Sequence, residues 1–408
     1  LRPLAVVGCL LMLWALWADR AVCWPQLRRD PLTWVLLAIA GVAIVYAPLA
    51  AVGEPAFWQQ QVKHAARVAY YAGLIPVAWY LRGDEDRILR TWLIACAGFL
   101  LARVFFLGEL GNLDGPWWEA RLGLGLEPIS FAYYAGTVLL AVLVFAPRLA
   151  RLAAPRFRLA AAGGLLLLAV LLLQGVVLSQ TRAAWLALAP LLLLLAAAGL
   201  RRAWRRGDRR TGIAVLLAAA LLGTVIGSNL PAVSERLASE RQTWNALFAG
   251  DLDTVRTGSG RARQHSVGIR VVMLREGLAR WREAPVFGHG PAAAKLTLRD
   301  SDVFLLSRFN DYHNVQLDIL VRYGAVGLGL FTAAVLLTLG GFYRGWRAGA
   351  LGGDTALFLG CVMALLLAST LTNVRLLNWD FRYWVFLAAG PMASYRYYCR
   401  PGMARVSR

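Results

Sequence analysis

The stretch DYHNVQLDILVRYGAVG at 311–327 places a histidine and an asparagine at the start of an otherwise apolar helix. A neutral imidazole accepts a proton near pH 7, which makes histidine the commonest general base. All four histidines lie in segments predicted to face the outer side of a membrane: His64, His265, His289 and His313. Only His313 begins a predicted membrane span. The sequence therefore predicts that His313 is the general base, because it is the only one of the four histidines at the start of a predicted membrane-spanning helix, which is a rigid element.

Basic residues at the same side depart from the usual preference of arginine and lysine for cytoplasmic loops. They are Lys63, Arg67, Arg103, Arg121, Arg182 and several arginines of the long segment 231–313. Such cations bind phosphate oxygens through charge-assisted hydrogen bonds. The set predicts that a phosphate or pyrophosphate is held at the depth of the lipid headgroups. For Lys63 and Arg67, anchoring at the membrane interface is an equal alternative.

The sequence offers few polar residues that could assist His313. Asp318 lies five residues further along the chain, roughly 140° around a helix, so it is not expected to orient His313. Asp380 is the better second carboxylate, with a salt bridge to Arg375 or Arg382 as the alternative. Asn314 is a candidate substrate ligand, and capping the helix is the alternative interpretation.

Motifs for other chemistries are missing from the sequence. It contains no GxxxxGK phosphate loop, no HxxxH pair and no GxSxG serine motif, and His265 and His289 are 24 residues apart. We therefore predict no metal and no cofactor. A histidine base, cations and a membrane location together predict a metal-free group transfer from a lipid-phosphate donor.

The elements that position these residues are predicted to be membrane-spanning helices. Hydrophobic residues make up 59% of the 408 residues, and the mean hydropathy is +0.55. Eleven apolar runs approach the length of about 20 residues that a bilayer requires. They lie near 3–18, 32–50, 65–81, 88–107, 128–147, 159–178, 183–200, 212–230, 316–340, 355–372 and 383–395. The fold class is therefore an all-α polytopic transmembrane bundle.

Arginine-rich loops alternate with loops of low or negative charge, and this alternation sets the orientation. It places the C-terminal tail in the cytoplasm and the long segment 231–313 on the opposite side. The chain divides accordingly into spans 1–8 (1–230), that long segment, and spans 9–11 with the tail (314–408). The same alternation places Leu1 on the outer side of the membrane, so we expect a preceding segment and twelve spans in a longer natural chain.

Charge and cysteine content exclude several function classes. The net charge of +20 comes largely from arginines in the predicted cytoplasmic loops, so no nucleic-acid partner is predicted. None of the five cysteines lies in the long segment, so no disulfide framework is implied there. Spans 5 to 8 and 10 carry no charge, which argues against a transporter, flippase or channel.

The long segment is predicted to contain an amphipathic helix. Its apolar stripe consists of Val267, Val271, Leu274, Leu278 and Trp281, and Pro285 is expected to end it. The following turn, VFGHGPAAAK at 286–295, could direct backbone amides at a ligand.

Four patches resemble the bacterial O-antigen ligase family, within the superfamily that includes the O-antigen polymerases. They are HNVQLDILVRYGAVGLGL (313–330), GIRVVMLREGLARWREAPVFGHGP (268–291), LSQTRAAWLALA (178–189) and RLGLGLEPISFAYY (121–134). Two departures from the family pattern are Arg322 with Tyr323, where a more acidic or neutral pair is expected, and His289, in a usually apolar position.

The resemblance implies a metal-independent, inverting transfer of polysaccharide from undecaprenyl pyrophosphate to a sugar of lipid A–core. It places the reaction at the periplasmic face of the bacterial inner membrane. It implies that His313 deprotonates the acceptor hydroxyl and that Arg182 and Arg270 hold the pyrophosphate. An O-antigen polymerase, using the same donor, is the alternative, and a flippase or channel for lipid-linked oligosaccharide is a more distant one.

Overall fold

The computed structural model describes residues 12–53, 55–108, 121–230, 266–299 and 306–398, with the isolated positions 234, 238, 245 and 249. These residues form helices and connecting turns, and none of them lies in a β-strand, which confirms the all-α class. The α-helices, numbered in chain order, are α1 (Arg20–Leu27), α2 (Pro31–Gly53), α3 (Trp58–Ala69), α4 (Leu74–Leu81), α5 (Glu85–Val104), α6 (Pro128–Leu152), α7 (Arg158–Leu178), α8 (Arg182–Arg206), α9 (Arg209–Ser228), α10 (Ser266–Glu283), α11 (Ala293–Arg299), α12 (Val315–Arg347), α13 (Gly353–Thr370) and α14 (Trp379–Tyr398). Short 3₁₀ turns lie at Pro55–Phe57, Tyr70–Gly73, Pro155–Phe157, Leu306–Arg308 and Arg375–Leu377.

Seven of the described helices are long and apolar enough to cross a membrane. They occupy Pro31–Val52, Pro128–Leu152, Pro155–Leu178, Arg182–Arg206, Thr211–Ser228, Val315–Arg347 and Gly353–Thr370. Each coincides with a predicted span, so the chain is a multi-pass membrane protein. Uninterrupted apolar runs specify such helices directly, because in lipid every backbone group must be paired within the helix.

Three other predicted spans form helices of a different character. The run at 65–81 is divided by the 3₁₀ turn at Tyr70–Gly73. Helices α5 and α14 form, but each carries several charged residues. The first run, 3–18, begins outside the described residues. The count of eleven or twelve spans stays a prediction, as does the division of the chain at 230 and 313.

The described residues fall into two units. The first takes its residues from 1–88, 239–352 and 370–408, and the second from 89–238 and 353–369. In the first unit α2 packs on α3 and α12, while α14 packs on α4 and α12. In the second unit α7 packs on α6 and α9, and α8 packs on the same two helices.

Helix α12 is broken at Gly324, whose backbone has φ 61° and ψ −159°. An unbroken helix would pair the carbonyls of Val321 and Arg322 with the N–H groups four residues later. Here those carbonyls accept from the N–H groups of His289 and Gly290, both at 2.9 Å. In return, the N–H groups of Ala325 and Val326 donate to the carbonyls of Pro285 and Val286, at 2.9 and 3.1 Å. The turn at 285–290 therefore supplies the hydrogen-bond partners that the backbone of α12 lacks at its break.

Glycines allow this close approach. A Cβ on Gly324 would lie 2.3 Å from the backbone of Val286, and one on Gly288 would lie 2.6 Å from the backbone of Arg322. The expectation that this turn directs its amides at a ligand is wrong for the amides that make these contacts. His289 and Gly290 donate to α12, and the Ala292 N–H donates to Gln61 Oε1 at 2.7 Å.

Helix α10 packs on the start of α12 through a small apolar core. Its buried members are Met273, Ala293, Ala294, Leu298, Leu306, Tyr312, Leu317 and Val321. The helix and its end before Pro285 are confirmed, but its inward face differs from the predicted apolar stripe. Leu274 is 46% exposed. Gly277 faces Leu317 so closely that an added Cβ would lie 2.8 Å away. A glycine therefore determines this contact, and a pattern of large apolar residues does not predict it.

Candidate functional site

His313 occupies the residue before the N-cap of α12. Its backbone is left-handed, with φ 53°, a conformation that few residues other than glycine adopt. Asn314 follows as the N-cap: its Oδ1 accepts from Leu317 N at 2.8 Å, and its Nδ2 donates to the carbonyl of Leu371 at 3.1 Å. The capping interpretation of Asn314 is confirmed. Two backbone contacts use its carboxamide, and a contact with substrate stays a prediction.

The carboxylate at His313 is Asp311, which sequence reasoning missed. Asp311 Oδ1 lies 2.6 Å from His313 Nδ1 and accepts from the backbone N–H of His313 at 3.0 Å. The side chains of His313 and Asp311 are 32% and 30% exposed, so the pair is partly open. The Phe309 ring packs edge-on against the imidazole, with centroids 5.2 Å apart. The available signal was the Asp-x-His spacing, since an aspartate commonly accepts from the backbone N–H two residues later.

The electrostatics of this pair favour a charged Asp311. Burial alone would raise the pKa of Asp311, but the hydrogen bonds from the side chain and the backbone of His313 lower the pKa below its usual value. Asp311 is therefore an ionised acceptor at neutral pH, and its contact with the imidazole is charge-assisted.

Asp318 serves another partner, as expected from its position around the helix. Arg322 Nε donates to Asp318 Oδ2 at 2.5 Å, and both side chains are 2% exposed. Arg322 Nη1 also donates to the carbonyl of Pro291 and to His64 Nδ1, the latter at 3.2 Å. Arg322, the departure from the family pattern, thus joins α12 to α3 and to the turn at 285–291.

His64 is held neutral at the centre of several cations. Burial, followed by the charges of Arg322, Arg67, Lys295 and Lys63, lowers the pKa of His64 to about 2. A neutral ring with Nδ1 accepting from Arg322 is consistent with that environment. His64 therefore packs as a buried acceptor, in line with a structural role.

The cations of α3 lie in the first unit. Lys63 is exposed and Arg67 is half-buried, one turn further along the helix. Arg67 is close enough to Arg382 and Arg322 for charge repulsion to act among them. The Arg382 guanidinium lies 4.8 Å from the centroid of the Tyr70 ring. This concentration of positive charge suits an anion at the surface of the first unit.

Arg270 and Asp380 also belong to the first unit. Arg270 lies half-buried on α10, whose opposite end carries the turn that docks on α12. Asp380 lies in the first turn of α14. His289 Nε2 is 2.7 Å from the carbonyl of Arg280, so its ring joins the turn to α10. His265 lies outside the described residues.

In the second unit a tight corner positions Arg182. Helix α7 ends at Leu178, Gln180 adopts φ 52°, and α8 begins at Arg182. The neighbouring loop is tied to this corner, since Leu122 N donates to the carbonyl of Leu178 at 3.1 Å. Arg121 Nε donates to the carbonyl of Ser179 at 3.5 Å, which brings Arg121 close enough to Arg182 for repulsion.

Arg103, on α5, contacts the same loop. It donates to the carbonyl of Leu124, and its guanidinium lies 5.5 Å from the ring centroid of Phe99 and 5.2 Å from that of Phe106. The predicted ligands are thus grouped by unit. Lys63, Arg67, Arg270, His313, Asn314 and Asp380 lie in the first unit, whereas Arg103, Arg121 and Arg182 lie in the second.

Among the described residues, no group of three or more histidine, cysteine, aspartate or glutamate side chains could hold a metal ion. Metal independence stays a prediction, to be tested by chelation.

A family model described as O-antigen ligase matches residues 167–332, and no curated protein matches the chain. The matched region contains Arg182, Arg270 and His313 together with the break in α12. This match supports membership in the O-antigen ligase family.

Proposed function

We propose, on the premise of membership in the O-antigen ligase family, that this protein transfers a polysaccharide from undecaprenyl pyrophosphate to a sugar hydroxyl of lipid A–core. The family indicates an enzyme of the O-antigen ligase or polymerase type. The observation that carries the finer proposal is the placement of His313. Its partly exposed imidazole lies immediately before the N-cap of a helix that is long and apolar enough to cross a membrane.

The proposed reaction needs one base and one leaving-group site. His313 removes the proton from the acceptor hydroxyl as its oxygen attacks the anomeric carbon of the donor sugar. The bond from that carbon to the pyrophosphate breaks, and undecaprenyl pyrophosphate leaves. Attack from the face opposite to the leaving group inverts the anomeric configuration. Neither step requires a redox change or a cofactor.

We assign the leaving pyrophosphate to arginines. Arg182 is the first residue of α8, where the helix dipole is positive, and Arg121 lies beside it. Two cations at a positive helix end repel one another, and a bound anion relieves that repulsion. Arg270, on α10 of the first unit, is proposed to be required for the same reaction. A planar guanidinium suits phosphate because it donates two parallel hydrogen bonds.

We assign the remaining polar residues to substrate contacts. Lys63, Arg67, Arg103, Arg121, Asn314 and Asp380 are proposed to bind the donor headgroup or the acceptor sugar. The cations around α3 give this assignment its physical support, since they lie close enough to repel one another. The site is proposed to face the periplasm from the bacterial inner membrane, in agreement with the alternation of basic loops in the sequence.

Complementation separates the ligase from the polymerase, which uses the same donor but a lipid-linked glycan acceptor. The full-length gene is expressed in a strain without its O-antigen ligase and in a strain without its O-antigen polymerase. The proposal expects polymer on lipid A–core in the first strain. Longer lipid-linked polymer in the second strain, without transfer in the first, would identify a polymerase instead.

A further inference from the structure

We propose that Asp311 is a positioning residue that holds the His313 imidazole with its proton on Nδ1 and its lone pair on Nε2. The inference deepens the proposed function and rests on it in one respect, namely that His313 accepts the acceptor proton. The orientation of the ring can be measured without any assumption about the reaction.

The hydrogen bonds determine which nitrogen is free. An ionised carboxylate only accepts, so Nδ1 must carry the hydrogen that lies between it and Asp311 Oδ1, 2.6 Å away. The same oxygen accepts from the backbone N–H of His313 at 3.0 Å. Since the bond at one ring nitrogen sets the state of the other, Nε2 is left as the atom with a lone pair.

The backbone fixes the ring at the same time. His313 adopts φ 53°, and the turn closed by Asp311 supports this rarely populated conformation. On the other side, Asn314 caps α12 and donates to Leu371, so the residue after the histidine is also held. The edge-on ring of Phe309 packs against the imidazole. The imidazole is therefore positioned from three directions before substrate binds.

Charge is the second contribution of Asp311. When Nε2 takes the proton of the acceptor hydroxyl, the ring becomes an imidazolium, and the adjacent carboxylate stabilises it. The proton on Nδ1 stays there, and the carboxylate remains ionised. Among the described residues, Arg322 and Asp318 also act electrostatically on Asp311. These two form an ion pair with each other, so Asp311 supplies the unbalanced charge next to the ring.

The test uses Asp311→Asn in the full-length protein, with a lipid-linked donor and a lipid A–core acceptor. An asparagine keeps the turn, because its amide oxygen still accepts from the backbone N–H of His313, but it removes the charge. Asp84→Asn is the matched control. Asp84 Oδ1 accepts from the N–H of Asp86 at 2.9 Å in the same type of turn, at an exposed position.

Asp311→Asn should lower kcat by roughly 10²-fold or more, within the range that general-base catalysis supplies, while KM for the donor stays near that of the parent. Loss of a neighbouring anion should move the acid limb of the kcat/KM profile to lower pH. Asp84→Asn should match the parent in both. An Asp311→Asn enzyme with parental kcat and an unmoved acid limb would show that Asp311 only closes a turn.

A measurement on the parent decides the matter even if the variant does not fold. The ¹⁵N chemical shifts of labelled His313, assigned by their loss in His313→Gln, report which nitrogen carries the proton. We expect the Nδ1–H tautomer for the neutral ring, and an Nε2–H tautomer would overturn the inference. Failure of the proposed function is distinguishable: it would appear as parental turnover in His313→Ala, whatever the tautomer.

Discussion

The break in α12 makes Gly324→Ala the most informative change in the fold. An alanine Cβ would lie 2.3 Å from the backbone of Val286, and the residue would have to keep φ 61° with ψ −159°, a combination that alanine strongly disfavours. The expected response is that α12 straightens and re-forms its own ladder, while the turn at 285–290 separates from it. Four loop-to-helix hydrogen bonds are then lost.

The magnitude follows from those bonds. Each contributes about 0.5–1.5 kcal/mol net, so docking of the turn is worth between about 2 and 6 kcal/mol. A straightened helix regains two bonds, from Ala325 N to the carbonyl of Val321 and from Val326 N to that of Arg322, which lowers the net loss to about 1–3 kcal/mol. Secondary structure should therefore survive, while the loop opens and transfer activity falls.

The assay combines limited proteolysis, thermal unfolding in detergent and polysaccharide transfer. Gly329→Ala is the matched control, because this glycine lies in the same helix and an added Cβ meets nothing within 4 Å. That change should stabilise the helix slightly, by about 0.5–1 kcal/mol. If Gly324→Ala resists protease, melts and turns over like Gly329→Ala, the turn at 285–290 does not depend on the break in α12, and the argument is refuted.

Arg182→Lys and Arg270→Lys should each lose roughly 10²-fold in rate although charge is retained, since an ammonium cannot reproduce a planar bidentate contact; parental rates in transfer assays would make these arginines lipid anchors. Because the pKa of His64 is lowered to about 2 in the fold, stability is fully present above the unfolded pKa of about 6.5 and falls below it, by about 2 kcal/mol at pH 5. His64→Asn should flatten that slope in thermal unfolding measured from pH 7 to pH 5, and an unchanged slope would contradict a neutral buried His64. Chelator treatment should leave transfer intact; complete loss that added metal restores would reject the metal-free mechanism.

Most of the fold was predictable from the apolar runs of the sequence. Seven predicted spans form helices long enough to cross a membrane, because a run such as 183–200 leaves the chain few alternatives in lipid. The break at Gly324 was not predictable in the same way. It depends on backbone pairing with residues 285–290, more than 30 positions earlier in the chain, and no local pattern encodes that contact.

The candidate site was predicted in part. His313 at the start of a helix and the N-cap alternative for Asn314 follow from the sequence, since both rest on the position of an apolar run. Asp311 was missed because the carboxylates considered, Asp318 and Asp380, both follow the histidine, whereas the contact forms through a left-handed residue outside the helix. The interpretation of α10 failed at Leu274 for a related reason, as a glycine and not a large apolar residue sets its contact with α12.

The central claim is that His313 is the general base of the transfer. Its most direct test is the rate of polysaccharide transfer by purified His313→Ala, with donor binding measured separately and with His265→Ala and His289→Ala as controls. The account predicts that His313→Ala binds donor but loses at least the roughly 10²-fold that a general base contributes, while both controls keep most of their activity. Turnover of His313→Ala near the parental rate, with donor bound normally, would contradict it.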